Sequence, residues 1–480
     1  MSGFSIALLG FGAMLLLIAI RMPIALAMLV VGAAGYAWLS SPHALIYYLQ
    51  TNTYSQFASY TLSVIPLFIL MGALAERSGI AATLFRAAEH RLGRLKGGMP
   101  MSVIAACTGF GAICGSSVAT TATFGRAALP ELHRAKVEPG FGTGTIAAGG
   151  TLGILIPPSV ILVIYAITAQ QNIAKLFQAA LIPGLMAAAF YIIAIAVAVR
   201  RNPALAPPIA FTPPKVTPRP AWARPLGAVL VAVAVGGWFA GYLGTVGMVL
   251  GLVIGLLLLL ADFAVVPAAV AAIIVVGGIY GAVFTPTEGA AVGAAIMLAI
   301  GLIQRTLDLE GIKQAFLQTA ETTGMIFLIL LGAEVFGAFL ALTQMPMTLA
   351  TMIGDSGLAP YVVICGMLLA YIVLGAVMDE LAMILLTLPV FMPVVLTLDL
   401  GMPAEDVAIW FGILVLVVVG IGLSAPPIGL NVFIINKIAG DVPILKTYRG
   451  VIPFVIADLI RLVILTAFPV ISLWLVKLLN

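Results

Sequence analysis

The sequence predicts an all-α polytopic membrane protein built around an inverted repeat, and three observations carry that prediction. The 480 residues are 62% hydrophobic and only 8% charged, with a mean hydropathy of +1.21, whereas soluble domains carry roughly 25% charged residues. The apolar stretches run to about 20 residues, the length of a spanning helix, and lack the short alternation of a transmembrane barrel. Two of them are interrupted near mid-span by the same unusual feature, a Pro-Pro pair, at Pro157–Pro158 and Pro426–Pro427.

Taken in order, the apolar runs give twelve crossings and two hairpins that enter and leave on one side. The first crossings are about 3–20, 23–40 and 60–76. The first run lacks a basic leader and is followed by Arg21, so it reads as a retained helix rather than a cleaved signal. The stretch "LFRAAEHRLGRLKGG" (84–98) sets apolar residues against Arg86, Arg91, Arg94 and Lys96, the pattern of a helix lying in the interface. Residues 99–130 hold a polar, small-residue centre, "GAICGSSVATTATFG", with arms too short to cross alone. This is the first re-entrant hairpin. Crossings follow at 141–169, containing the first Pro-Pro pair, and at 178–199.

A Pro-rich basic linker, 200–225, divides the chain into a first half, 1–199, and a second half. Beyond an added helix pair, 226–262, the half 263–480 holds crossings at 264–284, 288–304 and 315–342. A second hairpin is expected at 358–397, an interrupted span at 407–435 and a last crossing at 451–476. Of the 22 basic residues, all but Lys175, Lys477 and Arg461 fall on one side of this topology. The positive-inside rule makes that side cytoplasmic and puts both termini outside. No basic residue lies between Lys313 and Lys437, so the second hairpin enters from outside and the first from inside.

The halves repeat. Pro23 corresponds to Pro286, Gly72 to Gly332, "GA" at 111–112 to "GA" at 375–376, Pro157 to Pro426 and Pro183 to Pro453, at offsets of 263, 260, 264, 269 and 270. Each unit runs span, hairpin, broken span, span, in opposite orientations, which is the plan of many secondary transporters. The breaks then have a use. Proline costs a helix interior about 3 kcal/mol and frees carbonyls that hydrocarbon cannot satisfy. Such carbonyls can ligate a cation, while half-helix N-termini face an anion. The first site combines Ser116 and Ser117 with the backbone at Gly150, Gly153, Ile156 and Pro157. The second combines Gly375, Asp379, Gly422, Ser424 and Pro426. Thr120, Pro158, Pro427 and Asn431 are the candidate contacts to a solute. Mostly neutral, hard oxygen ligands suit sodium better than a proton.

These stretches, "GSSVATTATFGRAALPEL", "GGTLGILIPPSVILVIYAI", "GGIYGAVFTPTEGAAVGA", "MDELAMILLTLPVFMPVV" and "GLSAPPIGLNVFII", resemble the large membrane subunit of TRAP transporters (DctM-like). The resemblance covers the chain except about 200–262. It implies a bacterial inner-membrane, sodium-driven transporter that takes a carboxylate solute from a periplasmic binding protein, works beside a small four-helix membrane subunit (DctQ-like), and moves as an elevator. The stretch "VVVGIGLSAPP" departs from the Asn-Leu-Glu-like sequence usual before the second Pro-Pro pair. A carrier of the same superfamily that needs no binding protein is the alternative. A membrane scaffold is disfavoured by the doubled breaks.

No catalytic or nucleotide-binding motif is present, and His43, His90 and His133 form no metal-type spacing with Cys107, Cys114 or Cys365. An enzyme, a cofactor other than the coupling ion, and a nucleic-acid partner are therefore not expected. Among the acids, Asp379 and Glu380 should stand at the second hairpin tip, opposite Ser116 and Ser117. Glu288 reads as a helix-start residue behind Thr285, and Asp458 as a partner of Arg461.

Overall fold

The computed structural model describes residues 2–207, 223–239, 251, 265–375 and 378–479, and among them every regular element is helical. The first half begins with α1 (Gly3–Ala19), α2 (Ile24–Leu39), α3 (Pro42–Phe57) and α4 (Val64–Arg77). A lateral helix α5 (Ile80–Leu92) leads to a hairpin, α6 (Gly98–Cys114) and α7 (Ser117–Arg134). The broken span follows as α8 (Pro139–Leu155) and α9 (Val160–Thr168), bent by 45°. Then comes α10 (Ile173–Arg201).

Past α11 (Ala223–Phe239) and α12 (Val266–Tyr280), the second half repeats this order. It has α13 (Pro286–Ile303), α14 (Leu309–Thr343), a lateral α15 (Met345–Asp355) and a hairpin of α16 (Pro360–Gly375) and α17 (Glu380–Thr397). A broken span of α18 (Ala404–Ser424) and α19 (Leu430–Ala439), then α20 (Ile444–Ala467) and a short α21 (Val470–Leu479), complete the chain. Among the described residues, seven helices are long and apolar enough to cross a bilayer, eight with the bent pair, and shorter apolar helices stand at several other predicted crossings. All but Gly251 of the second helix of the pair predicted at 226–262, and most of the linker, lie outside the described residues.

Packing pairs the two halves. Helix α2 lies on α14, and its repeat counterpart α13 lies on α4. Likewise α7 of the first hairpin packs on α19, and α17 of the second packs on α9. Each contact is the image of the other under the repeat. At the centre stand α8 and α18, whose residues are buried almost without exception, as expected of helices apolar on every side. Helices in lipid gain nothing from excluding water from one another, so close backbone approach decides where they cross. In α8, Gly140 and Gly144 supply it. A methyl group on Gly140 would meet the Lys446 carbonyl oxygen at 2.6 Å, and one on Gly144 the Gly450 carbonyl oxygen at 2.7 Å.

Three expectations need correction. The final crossing is not 451–476: the helix starts at Ile444, carries Lys446 and Arg449 in its first turns, and ends at Ala467, capped by Phe468 before Pro469, with α21 a separate helix. Basic residues read as loop are here the interfacial start of a span. The interfacial helix is shifted to Ile80–Leu92, since Gly93 ends it and Arg94 to Lys96 lie beyond. The loops that the sequence left unassigned hold α3, capped by Ser41 with Pro42 in its first turn, and α15, the repeat counterpart of α5.

Candidate functional site

The site is assembled from two joints, one per repeat. In the first, the hairpin turns at Gly115 and Ser116, and α7 starts under a Ser116 cap whose hydroxyl accepts from the Ala119 amide at 3.4 Å. The break in the neighbouring span runs from Ile156 to Ser159, and Ser159 caps α9 in the same way. The two meet backbone to backbone. The Val160 amide donates to the Gly115 carbonyl at 3.4 Å. A methyl on Gly111 would lie 2.8 Å from the Leu152 oxygen and 3.3 Å from Gly153 Cα, and one on Gly153 would lie 2.5 Å from the Ser116 oxygen.

The second joint has the same construction. A methyl on Gly422 would meet the Gly375 carbonyl at 2.9 Å. Gly111 and Gly375 are repeat mates at offset 264, and Gly153 and Gly422 at offset 269. The contact that closes each joint is thus the same contact twice, reached from the two sides of the repeat. Both Pro-Pro bonds, Pro157–Pro158 and Pro426–Pro427, are cis.

Between the two hairpin tips lies a cavity of about 340 Å³. Cys114, Gly115 and Ser116 of the first tip and Asp379, Glu380 and Leu381 of the second line it, with Glu76 of α4, Arg126 of α7 and Gln318 and Thr322 of α14. The predicted opposition of the two tips is present. Asp379 caps α17, with Oδ2 accepting from the Leu381 amide at 3.1 Å. Its neighbour Glu380 comes within reach of Ser117, yet Glu380 Oε2 and the buried Ser117 Oγ close no hydrogen bond. Among the described residues, Ser117 Oγ and Glu380 Oε2 are thus buried tip oxygens without a hydrogen-bond partner.

Other predicted residues support the joints from behind. Thr120 Oγ1 donates to the Ser116 carbonyl at 2.7 Å and faces Gly153. Gly150 faces Thr121 and Asn431, and Asn431 donates to the Ala147 carbonyl at 3.2 Å, tying α19 to α8. Ile156, Pro157 and Pro158 are buried. Ser424 Oγ donates to the Gly420 carbonyl at 3.1 Å, while Pro426 and Pro427 are exposed. Two of the outlying acids sit as expected. Glu288 closes a capping box with Thr285, and Asp458 pairs with Arg461 at 2.7 Å, both buried.

Residues that sequence reasoning did not single out complete the picture. Glu76 and Arg126 form an ion pair at 2.6 Å at the cavity wall; Glu76 stands at the end of α4 and Arg126 midway along the hairpin helix α7. The single Tyr448 hydroxyl proton is shared between the Pro427 and Ile428 carbonyls, at 2.9 and 2.7 Å, oxygens freed by the second break. Tyr191 donates to Asp458 at 2.6 Å and lies 3.0 Å from Thr151, linking the Asp458–Arg461 pair to α8. Lys175 and Lys477, the two basic residues that the topology places opposite the rest, are each paired with a carboxylate at the start of α18, Glu405 and Asp406.

The chain matches the family described as "Tripartite ATP-independent periplasmic transporter, DctM component" over residues 11–471. It is 31% identical, over 86% of either chain, to the C4-dicarboxylate TRAP transporter large permease protein DctM of Pseudomonas aeruginosa. It is 27% identical to the sialic acid TRAP transporter large permease protein SiaM of Vibrio cholerae, covering 88% of this chain and 87% of that one. The isethionate TRAP transporter permease protein DctMQ of Oleidesulfovibrio alaskensis is also 27% identical, and the match covers 97% of this chain and 65% of that longer protein. In fold it is similar to the solved YdaH transporter of Alcanivorax borkumensis, with a TM-score of 0.55 at 14% identity, covering 96% of this chain and 98% of that one.

Proposed function

The chain belongs to the DctM family of TRAP transporter large permeases, multi-pass membrane transporters rather than enzymes, and from that premise we propose sodium-coupled uptake of a carboxylate solute. The observation that carries this reading is the convergence of two repeat-related hairpin tips on one cavity. The first tip offers neutral hard oxygens, Ser116, Ser117 and the carbonyls near Gly153 and Ile156. The second offers Asp379, Glu380 and the backbone near Gly422 and Ser424. Such oxygens suit an alkali cation, and bound cations offset the carboxylates that an anionic solute would otherwise meet. Sodium occupancy would thereby favour solute binding.

The cavity is lined by Glu76 near the Arg77 end of α4 and by Gln318 and Thr322 in the half of α14 that bears Lys313, with Arg126 of α7 on its wall. By the positive-inside rule it opens to the cytoplasm, which makes this the inward-facing form. The membrane is then the bacterial inner membrane, with both termini periplasmic. Helices α2, α4, α13 and α14 pack on one another and would serve as a framework against which the hairpins and broken spans lie. An elevator would carry the second group past the first. A DctQ-like small subunit and a periplasmic solute-binding protein complete the system, with the bilayer and a carboxylate small molecule as its other partners.

The test is uptake by vesicles holding the chain, the small subunit and the binding protein, with sodium replaced by potassium at fixed pH, then with a proton gradient alone. Loss of uptake without sodium, and a higher sodium requirement in Ser117→Ala, are expected. Undiminished uptake without sodium, abolished by Asp379→Asn, would make the carrier proton-driven. Robust uptake by the isolated chain would favour a carrier that needs no binding protein.

A further inference from the structure

A second cavity, of about 520 Å³, shares a seam with the first. Gln318, Thr322, Met325 and Ile326 of α14 line the first cavity, and Leu330, Ala333, Glu334 and Gly337 of the same helix line the second. Helix α9 contributes Val160 and Ile161 to one and Ile167 and Thr168 to the other; α17 contributes Glu380 and Leu381, then Leu385 and Pro389. Thr322 and Glu334 are twelve residues apart on α14, a rise of about 18 Å. The cavities therefore sit at opposite ends of one interface, between α9 and α17 on one side and the framework on the other.

The second cavity has a distinctive lining. Among the described residues its one charged lining residue is Glu334, and its other polar walls are Ser55, Gln56, Ser59, Thr168 and Gln170. Tyr48 donates to Glu334 Oε1 at a long 3.4 Å. The Gln56 amide lies beside the Glu334 carboxylate, but Glu334 Oε2 and Gln56 Oε1, both buried, close no hydrogen bond. A carboxylate within a spanning helix is costly unless a partner compensates it, and two orphaned acceptor oxygens at one wall call for a positive ligand. A divalent ion wants more carboxylates than this, and among the described residues no cluster of three metal-ligating side chains exists.

We propose that Glu334 and Gln56 form a capture site for a monovalent cation, sodium, at the outer end of the seam, distinct from the hairpin-tip sites. The site holds the ion on the periplasmic side before the inner sites take it. The proposal rests on the sodium-coupled reading above.

The experiment compares the complete transporter carrying Glu334→Gln, Glu334→Asp or Gln56→Leu with the unaltered one, with sodium as the probe applied on either face. Glu334→Gln should raise the external sodium concentration for half-maximal uptake about tenfold. The internal sodium concentration for half-maximal efflux should stay unchanged. Glu334→Asp should recover part of the loss, and Gln56→Leu should shift the external value in the same direction by less. Equilibrium binding of radioactive sodium to the purified complex should fall by one ion per chain in Glu334→Gln. An unshifted external requirement in both Glu334→Gln and Gln56→Leu, or equal shifts on both faces, would overturn the proposal. A changed pH dependence of uptake with no sodium shift would also overturn it, by making Glu334 a proton carrier. If Glu334→Gln fails to assemble, Gln56→Leu alone decides. Sodium-independent uptake by the unaltered transporter would instead defeat the coupling reading itself.

Discussion

The two Pro-Pro breaks are repeat mates, yet their surroundings are opposite. Residues 150–166, which contain the first, are buried throughout, and its hairpin tip closes over it through Gly115, Gly111 and Gly153. The second is open: Pro426, Pro427 and Ile428 are exposed, with Ile428 at 42% of its free surface. Helix α9 has a Ser159 cap, but α19 begins at Gly429, in a left-handed conformation, with no side-chain cap. Tyr448 is what holds the second break's carbonyls. One joint is finished within the chain and the other waits for a partner, an ion, a solute or a change of conformation. An inverted repeat thus supplies the same backbone device twice while letting one copy be rigid and the other yield.

The comparison can be broken most severely at the frame of the rigid joint. Arg461→Met leaves the buried Asp458 without its cation, held only by Tyr191, which in turn contacts Thr151, and should cost about 3–5 kcal/mol, seen as a large drop in the melting temperature of purified protein. Next come the joints themselves. Gly153→Ala puts a methyl 2.5 Å from the Ser116 carbonyl and from Thr120 Oγ1, in a region closed on every side. It should cost about 3 kcal/mol and abolish uptake. Gly422→Ala meets its neighbour at 2.9 Å beside an open break and should cost about 1 kcal/mol, with uptake reduced but measurable. Equal losses for the two glycines would remove the distinction between joints.

Two smaller effects sharpen it. Tyr448→Phe strips the donor from the Pro427 and Ile428 carbonyls and should destabilise by about 1 kcal/mol while speeding hydrogen exchange in α19, with no change in α9. Thr285→Ala should cost about 1 kcal/mol through the lost cap of α13, and should not touch the sodium dependence of uptake. A shifted sodium requirement in Thr285→Ala would show that Glu288 does more than cap a helix.

Much of this was legible before any coordinates. Apolar run length located the spans and the hairpins, and the recurrence of Gly111 at Gly375 and of Pro157 at Pro426 announced the joints that the structure closes. What sequence could not show was which oxygen at a tip is free. Asp379 and Glu380 are adjacent acids, and only the direction of the α17 N-terminus makes the first a cap and leaves the second facing Ser117. Serine hydroxyls were equally ambiguous: Ser424 spends its proton on the Gly420 carbonyl one turn back, while Ser117 has no such bond. The start of α20 was missed because charge near a span end was read as loop, although interfacial lysine and arginine extend helices as readily as they end them.

The contrast between a closed and an open break is tested most directly by thiol accessibility. With the exposed native Cys365 replaced by serine, Ile156→Cys and Ile428→Cys report on the two breaks, and a membrane-impermeant maleimide is applied from the cytoplasmic face. Ile428→Cys should label readily and be slowed by sodium together with the solute, whereas Ile156→Cys should remain unlabelled under all conditions. Labelling of Ile156→Cys as fast as Ile428→Cys, unaffected by sodium, would contradict the account.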